Sequence, residues 1–258
     1  MGLFIDGPAI AIDDLIAEDS GLLATAQTVG INVTAKLGLA MSEVQSELET
    51  LLLRLQTTTT ITVGLIQPPS IGQVVVTPDL ARWEKMQALM MVYRDAAYTQ
   101  LIDRYKSKWD MFTALNQAAR NQFIANGIGL VNSPVPVAAI PILGTESVSS
   151  TQAGGTFYAC VTWVNAAGQE GSPSAAASIV VPANNLMTVM ATGAPANAAG
   201  FNVYVGTVLA MMTLQNDVVL PMGAAFTYVP GISTSSQLPG TGQVPDYVKA
   251  LPATIQRG

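Results

Sequence analysis

The sequence contains no histidine and a single cysteine, Cys160. The commonest general base and metal ligand is therefore missing, and neither a disulfide framework nor a CxxC metal or redox site can be built. Charge is scarce too: 11% of the 258 residues are charged and 50% are apolar, where about a quarter charged is usual. Much of the surface must then be small, uncharged or covered by partners, which favours an assembly subunit. The longest apolar runs, such as VPVAAIPIL at 135–143, are interrupted by Pro136 and Pro141 and fall far short of the ~20 residues of a membrane span, so no membrane partner is expected. The opening MGLFIDGPAIAIDDL lacks a positive n-region and has Asp6 where a myristoylation motif needs Ser or Thr, so no targeting segment is expected.

The net charge of −6 is laid out unevenly. Residues 1–56 hold two basic and eight acidic groups, 57–78 none, 79–126 seven basic and five acidic, and 127–258 two and four. No basic tract suggests a nucleic-acid reader, and an acidic segment repels phosphate. Neither G-x-G-x-x-G nor G-x-x-x-x-G-K-[ST] occurs, so the common nucleotide cradles are absent. Cys160 alternates with Tyr158 and Thr162 in a strand-like run, the setting of an unreactive thiol. The carboxylates close in sequence, Asp13 with Asp14 and Glu47 with Glu49, do not face each other across a cleft when they lie on a helix. The loops of 146–240 offer only Glu146, Glu170 and Asp217, too few for calcium. No catalytic residue, metal or cofactor is assigned, and the chain is not expected to be an enzyme.

The first half reads as helical. Asp13 or Asp14 can cap a short helix, and Gly21 to Thr28 can form another that Gly30 ends. Leu37, Met41, Val44, Leu48, Leu51 and Leu55 recur at steps of four and three, one apolar stripe along a longer helix. From Thr57 to Val76 the β-branched runs TTTTITVGLI and QVVV flank a Pro-Pro-Ser-Ile-Gly turn, which predicts an uncharged hairpin. Such a hairpin is marginal alone and must pair or pack against something. Thr77-Pro78-Asp79 is a helix start. Apolar residues from Trp83 to Phe123 then keep helical steps as far as Asn126-Gly127. Unbroken, that helix would measure ~70 Å, so a break is expected near Tyr98 to Asp103. The Arg and Lys residues of this stretch are partly matched by Glu84, Asp95, Asp103 and Asp110 at neighbouring helical positions, as solvated or intersubunit pairs.

Helical period ends in a Pro-rich connector. Beyond it come TFYACVTWV (156–164), ASIVV (177–181), LMTVMAT (186–192), FNVYVGT (201–207), MTLQND (212–217) and AAFTYV (224–229). Spacing of this kind predicts about seven strands in an antiparallel β-sandwich. Phe157, Val161 and Trp163 should share its core with Phe201, Val203 and Val205. The final stretch has three prolines and little periodicity, an extended tail able to dock on a partner. The expected class is α+β. A helical domain spans 1–130 with a hairpin at about 57–76, a linker 131–145, a sandwich of immunoglobulin or fibronectin III type 146–236, and a tail 237–258.

Two pieces carry a resemblance. DDLIAEDSGLLATAQTVGINVTAKLGLAMSEVQSELETLLLR with TPDLARWEKMQALMMVYRDAAYTQLIDRYKSKWDMF resembles the head–tail connector, or adaptor, proteins of tailed bacteriophages. YACVTWVNAAGQEGSPS with FNVYVGT is similar to Ig-like modules of phage virion proteins. The resemblance implies a structural virion protein at the neck, made in the host cytoplasm. It would form a ring, typically of twelve copies, beneath the portal protein and extend the DNA channel to the tail or further neck proteins. DNA would pass without specific binding, which an acidic wall favours. Subunit or portal contacts are then expected from the hairpin and tail, at Ile61, Val63, Val75, Tyr247, Val248, Leu251, Ile255 and Arg257, with the sandwich projecting outward. The added β-domain keeps two other readings open: a tail or baseplate subunit, and a glycan-binding module using Trp163, Tyr158 or Tyr204 as platforms.

Overall fold

The computed structural model describes residues 1–58, 68–99, 103–147, 153–231 and 235–249. The chain is α+β and divides into two compact units that share it discontinuously. Gly7–Asn132 and Pro245–Gly258 form a helical unit, and Met1–Asp6 and Ser133–Val244 a β unit. The chain therefore passes between units at three places, where a helical domain 1–130, a linker 131–145, a sandwich 146–236 and an extended tail 237–258 were expected in succession. The reason lies in burial. Leu3 and Phe4 are buried. The Pro-rich 131–145 is not a spacer, since Val135 and Ala138 belong to the β unit's core and Ile142 already begins a strand.

In the helical unit, α1 (Ile12–Glu18) opens with Asp14 reaching back to accept the Ala11 N–H at 2.7 Å. α2 (Leu22–Val29) stops at Gly30 in the left-handed region. α3 spans Val33–Thr58 and buries Leu37, Val44, Leu48 and Leu55, with Ala40 and Leu52 completing the stripe. It runs into the stretch expected to be a hairpin. Residues 59–67 of that hairpin lie outside the described ones, and its returning arm is no strand: Ile71–Gln73 is a 3₁₀ turn and Val74 makes one isolated bridge.

Thr77 Oγ1 accepts the Leu80 N–H at 3.3 Å and starts α4 (Pro78–Thr99). A 3₁₀ turn, Asp103–Tyr105, precedes α5 (Lys106–Asn126), so the chain breaks in the expected region. The two helices are antiparallel, because Trp83 meets Phe123 at 5.4 Å and Tyr93 stacks on Phe112 at 5.3 Å between ring centroids. α4 is central: Leu80, Trp83, Met86, Leu89, Val92 and Tyr93 are all buried, each burial contributing about 1.5–3 kcal/mol.

In the β unit, strands β2 (Ile142–Ser147), β5 (Asn185–Met190) and β8 (Ala225–Tyr228) form one antiparallel sheet in the order β2-β5-β8. Strands β4 (Ala177–Val181), β3 (Gly155–Asn165), β6 (Ala198–Gly206) and β7 (Thr213–Leu214) form the second, in the order β4-β3-β6-β7. Phe157, Val161 and Trp163 from β3 and Phe201, Val203 and Val205 from β6 join Met187 and Val189 from β5 in one hydrophobic cluster, as the period of two requires. Trp163 meets Phe201 edge-on at 6.1 Å. The opposite face of β3 and β6 is covered as well. Cys160, Tyr204 and Met212 form a second cluster, and Glu170 accepts the Tyr204 hydroxyl at 2.8 Å.

Candidate functional site

The expected interface residues fall on two stretches, and the structure brings the described ends of both to one short strand. β1 (Ile128–Leu130) leaves α5 through Gly127 at φ 102°. Along one edge lies β9 (Asp246–Val248), antiparallel, with Ile128 opposite Val248 and Gly129 opposite Tyr247. Along the other runs 73–75: Val74 bridges Leu130, the Val75 N–H donates to the Gly129 carbonyl at 3.0 Å, and the Val131 N–H donates to the Gln73 carbonyl at 3.0 Å. Gly129 has no room for a side chain, since a Cβ there would lie 2.8 Å from Thr77 Cγ2 and 3.0 Å from Pro245 Cβ.

This layer decides the expected residues. Val75 and Val248 are buried within the helical unit and cannot meet a partner. Their β-branched surface is used by β1, a strand too short to announce itself in the sequence. Tyr247 points outward and is 52% exposed. Ile61, Val63, Leu251, Ile255 and Arg257 lie outside the described residues.

Other apolar side chains stand exposed without having been singled out: Leu23 on α2, Leu39 and Leu53 on α3, Tyr98 on α4 and Met111 on α5. Leu39 and Leu53 are fourteen residues apart, which puts them on one face about 21 Å from each other, and Leu53 is 61% exposed. Tyr98, 74% exposed, leans on Trp109 at 5.4 Å, over which the Lys106 ammonium also sits at 5.4 Å. Their sequence signal was a second set of leucines off the main stripe of α3, and an aromatic at the helix break.

Several of the unit's charges tie its helices together. Lys36 pairs with Asp95, Lys85 with Glu18 at 2.9 Å, and Arg120 with Glu47. Glu43 accepts from Gln87, whose Oε1 accepts from Asn116 at 2.6 Å, bridging α3, α4 and α5. At the α1–α2 corner, Asp19 accepts from the Tyr93 hydroxyl and from Lys108 Nζ at 2.6 Å. Burial pushes the Asp19 carboxyl up, but the bonds from Lys108 and Tyr93 outweigh it and hold it below the usual carboxylate range. Burial and the Asp19 bond push the Tyr93 phenol up. Glu84, expected to match a basic neighbour, is instead fully buried and among the described residues accepts from one hydrogen-bond donor, the Ala9 N–H, 3.2 Å from each oxygen. Burial raises it to about 7, against a smaller lowering by that amide.

Burial pushes the Cys160 thiol up to about 11, which leaves it protonated at neutral pH. Among the described residues no three His, Cys, Asp or Glu side chains gather where they could hold a metal ion, and no helix is long and apolar enough to cross a membrane. Trp163 and Tyr204 are buried, so neither offers a platform to a glycan. Compared with known proteins, the chain matches no family model and no curated protein.

Proposed function

We propose that the chain is a structural virion protein, a head–tail adaptor that forms a ring beneath a phage portal and continues the DNA channel toward the tail. The observation that carries this reading is the exposure of Leu23, Leu39, Leu53, Tyr98, Met111 and Tyr247 on a helical unit whose own core is already closed. Apolar groups of that size, spread over several helices, suit a subunit with neighbours on more than one side. The α4–α5 pair, built from the stretch on which the family resemblance mainly rests, supplies the rigid element that side-by-side packing needs. In this reading the layer around β1 anchors the hairpin and tail whose remaining residues make subunit or portal contacts.

The β unit is read as an immunoglobulin or fibronectin III-like sandwich. The pairs β2–β5 and β3–β6 lie in different sheets around one core, with β4 and β7 flanking the second pair. That interleaving of non-local pairs is the Greek-key pattern of such domains. β8 departs from it by returning to the far edge of β5.

Native mass spectrometry of the protein with and without its phage's portal tests the proposal. Assembly into many copies on the portal is expected, and Leu39→Asp with Leu53→Asp should abolish it while leaving the melting temperature of the subunit unchanged. A stable trimer or hexamer indifferent to the portal would point instead to a tail or baseplate subunit.

A further inference from the structure

We propose that Glu84 is a proton-operated latch for the segment Gly7–Ala11, holding it against α4 when the carboxyl is neutral and loosening it when the carboxyl ionises. The geometry is local to the helical unit. Glu84 is sealed from solvent and its two oxygens share one donor, the Ala9 N–H. Ala9 and Ile10 also line an open groove of about 500 Å³ with Asp14, Glu18, Pro78, Ala81, Arg82, Lys85 and Met86. Glu84 itself does not line that groove. The segment thus stands between a buried carboxyl and water.

Among the described residues no cation pairs with the carboxylate. The segment Gly7-Pro8-Ala9-Ile10-Ala11 has no titratable side chain. On α1, Asp14 is engaged by the Ala11 N–H and Glu18 by Lys85. α2 carries no charge. On α3, Lys36 is taken by Asp95, Glu43 by Gln87, Glu47 by Arg120 and Glu49 by Gln45, and Arg54 has a partner as well. On α5, Lys108 is held by Asp19 and Lys106 by Asp110. Arg82, on α4 itself, bonds Gln122 at 3.3 Å. Asp103 and Arg104 sit beyond the far end of α4, roughly 22 Å along the axis from Glu84. Among the described residues no ion pair reaches Glu84. A buried carboxylate with one hydrogen bond is costly, and lifting Ala9 lets groove water solvate it. Ionisation therefore favours the open segment, and protonation the closed one.

Amide hydrogen exchange at Ala9, Ile10 and Ala11, corrected for the intrinsic pH dependence of exchange, reads the latch directly. With a closed-state value of about 7 and an ordinary open-state value of 4.5, linkage makes protection fall about tenfold from pH 6 to pH 8 and level off above that. Glu84→Gln keeps an oxygen for the Ala9 N–H and removes the charge, so its protection should not change over that range. Equal wild-type protection at both pH values, or an unchanged slope in Glu84→Gln, overturns the proposal. The ¹³C titration of the wild-type Glu84 carboxyl needs no variant: a midpoint near 7 supports the latch, and one near 4.5 refutes it.

Discussion

Two carboxyls of the helical unit are shifted in opposite directions, and their linkage to folding has opposite signs. Asp19 lies below its ordinary 3.8 in the native state. Its contribution is fully present above that value and is lost as pH falls through the lower native one. Glu84 lies above its ordinary 4.5, at about 7, so its contribution is present below 4.5 and lost as pH rises through 7. In urea melts across pH, Asp19→Asn should flatten the acid limb and Glu84→Gln the neutral limb, each leaving the other limb in place. Cys160 is sealed in the second cluster of the β unit with its thiol raised to about 11. Iodoacetamide at pH 8 should therefore leave the native protein unlabelled and modify it fully in denaturant, as intact mass will show.

At the scale of elements, legibility followed length. α3 and α4 could be read because an apolar stripe or a Thr-Pro-Asp start repeats its signal over many residues. β3 and β6 were equally plain from alternation. β1 and β9 have three residues each, too few for any period, and their pairing depends on a partner more than a hundred residues away. For the same reason Val75 and Val248, buried against β1, were expected at a subunit or portal interface. Glu84 looked like a surface match for its basic neighbours because helical spacing sees one helix at a time, whereas its burial is set by the segment around Ala9. The β1 layer has its own test. Gly129→Val must push against Thr77 and Pro245, so it should cost about 1–3 kcal/mol and raise hydrogen exchange at Asp246–Val248 more than elsewhere in the helical unit.

For the whole molecule, the discontinuous division predicts crossed effects of truncation. Removing residues 1–6 takes Leu3 and Phe4 from the β unit, although those residues adjoin the helices in sequence. Removing residues from 245 onward strips β9 from β1 in the helical unit, although they adjoin the β unit. Calorimetry resolving two transitions should show the first truncation lowering the β unit's and the second lowering the helical unit's. Transitions shifting the other way would contradict the division.

The order of synthesis follows from the same layout. Chains fold largely from the N-terminal end as they emerge from the ribosome, yet β1 waits for β9 until all of the β unit has been translated. Most of the helical unit is made before the bulk of the β unit, yet it is completed only after it. A nascent chain interrupted between Leu130 and Asp246 carries β1 without its β9 partner, an open strand edge that chaperones and proteases can recognise. Under the adaptor reading, closing that edge gives each subunit a built-in check of completeness before it joins a particle in which one defective copy would spoil the ring.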